Sequence, residues 1–243
     1  MAEEEDEPIP EEERTRYRSL CMREAYVAQD RPDLGVATRE VAKGMQHPTL
    51  RHKAQLKRTV RYLKAYPRLV QLFQNQERAS TLTGWCDADH AGCLRTRKST
   101  SGGLVMAGQH TLLQWCRGQA VIAISSGEAE YYSLVTLIAE LCGIRSLAQD
   151  WNLEYKLTVN MDATAAISIA SRRGLGKVKH VDTIFLWAQE KIEQLKIAIH
   201  KKHTSEMLAD MLTKFLTNRE IVKHLKGMGF VFKDGDHQLK LTA

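Results

Sequence analysis

Four acidic residues sit where their side chains could act together, and each also has an ordinary structural explanation. Asp87 lies in "GWCDADHAG" (84–92), at the exit of an apolar, β-rich run, where a turn-forming aspartate is common. Asp162 follows "KLTVNM" and precedes "ATAAISIA", a position suited to capping a helix N-terminus. Glu128 and Glu130 can be told apart. Ser125 stands three residues before Glu128, the S-x-x-E spacing in which the glutamate reaches back to its own helix start, so Glu130 is the one free to project toward the strand carrying Asp87. Asp210 falls off the apolar stripe Leu208, Met211, Leu212, Phe215 of a helical pattern, which a solvated face would also explain. If the four carboxylates converge, they raise one another's pKa unless cations neutralise them. Mg²⁺ is the matching hard cation, with oxygen ligands and a shell completed by water and substrate phosphate. Two such ions about 4 Å apart activate water and stabilise the leaving oxygen in displacement at phosphorus, and Mn²⁺ can substitute.

A second metal-like pattern is Cys86, His90 and Cys93, a C-x3-H-x2-C spacing with no fourth ligand in range. The five cysteines are odd in number and lack a C-x-x-C, so reduced thiols are expected.

The elements that must position these acids follow from periodicity. Residues 1–13 carry eight acids and no base, which predicts a disordered leader. From Arg14 to about Gln76 the chain reads as helical, and Leu56, Val60, Leu63 and Tyr66 recur at helical spacing among bases on other faces. "TLTGWC" (81–86), "GLVMAG" (103–108) and "TLLQWC" (111–116) read as three strands, with a hairpin at "GQH". A long helix follows, with Leu134, Leu137, Ile138, Leu141, Ile144 and Leu147 as its buried stripe. "KLTVNM" is a strand, "ATAAISIASRR" a helix, "GLGK" a loop, "VDTIFLWAQEKIEQL" a helix, "KIAIH" a strand and "SEMLADMLTKFL" a closing helix. The order β-β-β-α-β-α-α-β-α describes a mixed α/β fold, a five-stranded mixed sheet with helices packed on it.

No run of about 18 apolar residues occurs and the N-terminus is acidic, which predicts a soluble, intracellular chain. Net charge is +6, and removing the eight leader acids leaves +14 on the remainder, a balance that points to a polyanion partner.

The blocks "CDADHAG…RKSTSG" (86–102), "ISSGEAEYYSL" (124–134), "VNMDATAAI" (159–167), "KHVD" (179–182) and "HTSEMLADMLTK" (203–214) resemble, in order and spacing, the ribonuclease H domain of copia-type (pseudoviral) retrotransposon Pol polyproteins. Residues upstream look like the helical end of the reverse transcriptase that precedes it. The resemblance implies a ribonuclease H-like fold over 79–217, a reverse-transcriptase-like segment over 14–78, and a C-terminal helix and tail over 218–243. It implies that Asp87, Glu130, Asp162 and Asp210 bind two Mg²⁺ ions in an enzyme that cuts the RNA strand of RNA–DNA hybrids, with Asp89 accessory. Such a site must contact a 2′-OH, and Arg97, Lys98, Ser99 and Ser126 are candidates. His203, seven residues before Asp210, is a candidate for the family's proton-transfer histidine, while His180 in "KHVD" has no derivable role. The chain departs from the family where "MDATAA" lacks the polar Asn after the third acid, and no adjacent aspartate pair for a polymerase site occurs. Its acidic start suggests a fragment of a decayed element. The alternative function is a catalytically inactive, retrotransposon-derived nucleic-acid-binding module.

Overall fold

The computed structural model describes residues 7–93, 95–174 and 183–233. The elements in order are α1 (Glu11–Val27), α2 (Gly35–Ala42), α3 (Leu50–Ala65), β1 (Leu69–Gln71), β2 (Thr81–Asp89), β3 (Thr100–Ala107), β4 (His110–Gly118), α4 (Ser126–Asp150), β5 (Lys156–Met161), α5 (Thr164–Ala170), α6 (Trp187–Gln194), β6 (Ala198–Lys201), α7 (Asn218–Gly227) and β7 (Phe230–Phe232). Short 3-10 turns at Pro32–Leu34, Thr183–Leu186, Thr204–Glu206 and Leu208–Leu212 link them.

The main sheet has the order β4-β3-β2-β5-β6, with β2, β3 and β4 antiparallel and β5 and β6 parallel to β2. This is the mixed five-stranded arrangement expected from the sequence. Alternation along β2 explains its two faces. Leu82, Cys86 and Ala88 join Leu134, Leu137, Ile138 and Leu141 of α4 in one core, whereas Trp85 packs in a second core with Leu104, Leu212, Leu225 and Phe230. The hairpin between β3 and β4 turns on Gly108, whose φ of +60° suits glycine.

Several expectations are corrected. Residues 7–13 are not a free leader. Ile9 is buried with Tyr17, Cys21, Val41 and Leu56, Pro8 bridges Thr49, and Glu11–Glu13 form the first turn of α1, where acids suit the helix N-terminus. Helix does not continue to Gln76, because Pro67 follows the end of α3 and the chain pairs as β1 with β7. On α3, Leu56 and Thr59 are buried while Val60 is exposed, and on α4 the stripe ends before Leu147, which is also exposed. The closing helix is two 3-10 turns, Thr204–Glu206 and Leu208–Leu212, followed by α7, whose Thr217 and Glu220 form a reciprocal cap.

These 3-10 turns lie directly on the sheet because β3 carries glycine there. A Cβ on Gly102 would stand 2.9 Å from the Leu212 carbonyl carbon and 2.7 Å from Thr213 Cγ2. Gly102→Ala is therefore expected to lift the Leu208–Leu212 turn and destabilise the protein by about 1–3 kcal/mol. Thermal unfolding checks this, and an unchanged midpoint would contradict the packing argument. No helix among the described residues is long and apolar enough to cross a membrane.

Candidate active site

The cleft forms where two parallel strands part. The β2–β5 ladder ends at Trp85↔Asn160, yet β2 continues to Asp89, while β5 stops at Met161 and releases Asp162. In open α/β sheets the crevice at the carboxyl ends of strands, where strand order reverses, is the usual ligand site. Beyond the end of that ladder the Ala88 N–H donates instead to Glu130 Oε1 at 3.1 Å. Asp87 is thus a strand residue, 1% exposed, rather than a turn residue.

Helix α4 is held in register by two interactions. Ser125 caps it by accepting the Glu128 N–H, and Glu128 in turn accepts the Ile124 N–H at 3.2 Å and the Tyr132 hydroxyl at 2.5 Å. Glu128 therefore does structural work, although it takes the Ile124 N–H rather than the N–H of the N-cap Ser125 that its spacing predicts. Ser133, on the same face as Glu130 one turn later, donates to the Asp87 carbonyl at 2.8 Å. That bond ties the glutamate's helix to the aspartate's strand.

Carboxylate oxygens of Asp87, Glu130 and Asp162 lie within 4.8 Å of one another, and this is the one such metal-capable group among the described residues. Glu130 is 8% exposed. Its Oε2 is buried without a hydrogen-bond partner among the described residues. Burial, then the Asp87 charge, pushes its carboxyl far above the usual carboxylate range. Asp162 does not cap α5, whose N-cap is Ala163 without a side-chain bond, and instead accepts the Thr204 hydroxyl at 2.8 Å. Asp210 is buried rather than solvated, and its carboxyl is pushed up to about 6, first by burial and then by Asp87.

Asp210 meets Asp87 through Lys214, a residue the sequence reading did not single out. The ammonium lies 3.2 Å from Asp87 Oδ2 and 3.1 Å from Asp210 Oδ1, and Thr213 donates its hydroxyl to Asp87 Oδ2. The available signal was the Asp210–Lys214 spacing of four, an ion-pair spacing on a helix.

The remaining candidates separate. Asp89 folds over the turn, with an oxygen where a Cβ on Gly92 would go. His203 bonds locally to Ser205 as the cap of the Thr204–Glu206 turn. Ser99 is 0% exposed and accepts the Ala91 N–H, so it is taken out of the candidate 2′-OH contacts. Arg97 and Ser126 are exposed and Lys98 is half-buried. Cys86 points into the α4 core while the His90 ring meets the Ala123 carbonyl, so the cysteine–histidine pattern does not assemble among the described residues. His180 lies outside the described residues.

An orphaned, buried carboxylate oxygen in an all-oxygen cluster fits a hard divalent cation. Such a cation would offset the burial and the Asp87 charge that push the Glu130 carboxyl up.

Comparison with known proteins agrees with the motif blocks. No family model matches. The chain is 29% identical over 202 residues to the retrovirus-related Pol polyprotein of transposon TNT 1-94 from Nicotiana tabacum, covering 82% of this chain and 15% of that protein. It is 29% identical over 206 residues to that of transposon RE2 from Arabidopsis thaliana, covering 84% and 14%. An N-terminal RNase H domain from Mycobacterium tuberculosis, solved as a fusion with maltose-binding protein, aligns at 18% identity over 61% of this chain and 98% of that one, with a TM-score of 0.42. The chain thus spans about one seventh of the length of these polyproteins. Over most of its length this chain is similar to copia-type retrotransposon Pol polyproteins, in line with the order of its motif blocks.

Proposed function

We propose that the chain is the ribonuclease H part of a retrotransposon reverse transcriptase, an endonuclease that cuts the RNA strand of RNA–DNA hybrids with divalent metal. The observation that carries this reading is the meeting of Asp87, Glu130 and Asp162 with one buried Glu130 oxygen left without a partner. Mg²⁺, or Mn²⁺ in its place, would be held by Asp87, Glu130 and Asp162, with Asp87 and Asp210 offering the place for a second ion. Bound there, such ions supply water activation and charge neutralisation at a phosphate.

The protein's own side chains do the rest. The Ala88 N–H and Ser133 fix Glu130 and Asp87 relative to each other, which preorganises the two carboxyl groups before any ligand arrives. Thr204 orients Asp162, and Thr213 orients Asp87. Exposed Arg97 and half-buried Lys98 lie in the β2–β3 loop, and Arg39 of α2 and Lys43, which follows it, lie near enough to lower the pKa of Asp89, opposing its burial. These bases are suited to phosphate contact on the two strands of a hybrid.

One observation favours the non-catalytic alternative, in which the chain only binds nucleic acid. Lys214 already neutralises Asp87 and Asp210. The two readings separate in a single assay with the full chain and a hybrid labelled on its RNA strand. The expected result is RNA fragments in Mg²⁺ or Mn²⁺, an intact DNA strand, and no fragments in EDTA. Salt-dependent binding with intact RNA at every metal concentration would establish the binding module instead.

A further inference from the structure

Gln119 follows β4, is buried, and ties the end of that strand to β3 and α4 beside the cleft. Its side-chain amide donates to Ser101 Oγ of β3 at 2.9 Å and to the Ala129 carbonyl of α4 at 2.8 Å, while its backbone N–H donates to the Ser99 carbonyl at 2.8 Å. A carbonyl oxygen accepts and never donates, so the NH₂ end of the amide must face Ala129. The amide oxygen Oε1 is then left buried without a hydrogen-bond partner among the described residues. An apolar side chain would fill the same space without that cost, so what distinguishes glutamine here is the pair of bonds it donates.

Those bonds act on Glu130. The Ala129 carbonyl belongs to the peptide group that leads into Glu130, and a peptide group is planar, so holding that oxygen holds the Glu130 Cα. Ser101 stands opposite Ala88 in the β2–β3 ladder, and the Ala88 N–H is the group that Glu130 Oε1 accepts. Gln119 thereby closes a ring of contacts that runs from Glu130 through Ala88, Ser101 and Ala129 back to Glu130. The N-terminal cap of α4 cannot place the helix on the sheet, because Ile124, Ser125 and Glu128 bond within their own segment. Ser133 reaches the Asp87 carbonyl, but it lies four residues beyond Ala129, about 6 Å along the helix axis, which leaves the first turn to Gln119.

Resting on the nuclease reading, we propose that Gln119 is a positioning residue for the divalent-ion site: it sets the depth of the first turn of α4 over the sheet, and so the spacing of the Glu130 and Asp87 carboxyl groups. Its amide hydrogens are taken up by Ser101 and Ala129, so it acts only through Glu130. Its backbone serves a different element, the loop between β2 and β3, through the Ser99 carbonyl, and that bond does not depend on the side chain. Replacing the side chain therefore separates two properties. Ion affinity and turnover fall, while hybrid affinity, to which Arg97 and Lys98 of that loop are suited, stays.

The test compares Gln119→Met, which keeps the length of the side chain but has no donor, with Thr111→Val, which removes a buried hydroxyl bonded to the Met228 carbonyl at the far end of β4. Full chains are titrated with Mn²⁺ alone, the free ion being read by electron paramagnetic resonance, and kcat and KM are measured on a hybrid labelled in its RNA strand. Gln119→Met should weaken Mn²⁺ binding by about tenfold and lower kcat by about 10–100-fold, the scale on which groups that orient a metal ligand act, with KM within about threefold of wild type. Thr111→Val should lower the thermal midpoint yet stay within about threefold of wild type in Mn²⁺ affinity, kcat and KM. Mn²⁺ affinity and kcat within about twofold of wild type in Gln119→Met, with the fold intact by circular dichroism, overturns the proposal. An equal loss in both variants overturns it as well, by marking general destabilisation, and so does a rise in KM with kcat unchanged, which places the effect in the loop. The Mn²⁺ titration decides by itself if wild type binds the ion without cutting, so failure of the nuclease reading is separable from failure of the positioning role; a wild type that binds no Mn²⁺ overturns both. If Gln119→Met fails to fold, Gln119→Asn, whose amide is too short to reach Ser101 and Ala129 together, is judged by the same outcomes.

Discussion

Asp87→Asn should lower hybrid cleavage by about 10³-fold, roughly 4 kcal/mol of lost transition-state stabilisation, with the fold intact. Asp87 is the residue shared by both proposed ion positions, in contact with Lys214 and next to Glu130, so its charge enters every electrostatic interaction in the cleft. Asparagine has the same shape, and its amide oxygen can still accept the Thr213 hydroxyl. It cannot offer a formal negative charge to a cation. The backbone contacts that hold the strand, Ser133 to the Asp87 carbonyl and the β2–β3 ladder at Gly102, do not involve the side chain. Single-turnover cleavage of a labelled hybrid measures the loss, with circular dichroism as the control for folding. Cleavage within about tenfold of wild type would move the chemistry away from this cluster.

The parts of this site that could be read from residues alone are those whose spacing has a local physical cause. The S-x-x-E spacing separates Glu128 from Glu130 before any coordinates, because a helix start has amide groups to satisfy and Glu128 is where they are met. The five strands and their mixed order follow from period-2 runs and the long amphipathic α4 between them. What escaped is what depends on partners far apart in the chain. Asp210 looks solvated on a helical wheel, but the element is a 3-10 turn pressed onto Gly102, and its angular logic differs from that of an α-helix. Asp162 looks like a cap, yet Thr204, from beyond β6, takes its oxygen. Ile9 sits in an acidic run and is buried only because α2 and α3 fold over it. Lys214 could be noticed by its distance from Asp210, but nothing local reveals that its second partner lies 127 residues away.

Glu130→Gln should stabilise the metal-free protein at alkaline pH and remove much of its pH dependence. Burial and the Asp87 charge raise the folded-state pKa of Glu130 above its ordinary value, so the folded protein holds a proton there that the unfolded chain has already released. The stabilising contribution of that neutral carboxyl is complete below the unfolded pKa and is lost as pH rises toward the folded one. Asp210 acts in the same sense over a narrower window, ending near its raised value of about 6. Metal-free wild type is therefore expected to lose stability between about pH 5 and about pH 9, on the order of 2 kcal/mol, the scale of a buried charge without a full set of partners. Glutamine occupies the same volume, keeps an acceptor for the Ala88 N–H and never ionises, so most of that slope should vanish. Mg²⁺ reverses the comparison: it should raise the alkaline midpoint of wild type, whose ionised Glu130 it pairs with, and leave Glu130→Gln nearly unmoved. Urea unfolding across this pH range, with EDTA or with Mg²⁺, reads both effects. A flat pH profile in metal-free wild type would show that Glu130 is solvated in solution, and the buried carboxyl on which the cleft's chemistry depends would be missing.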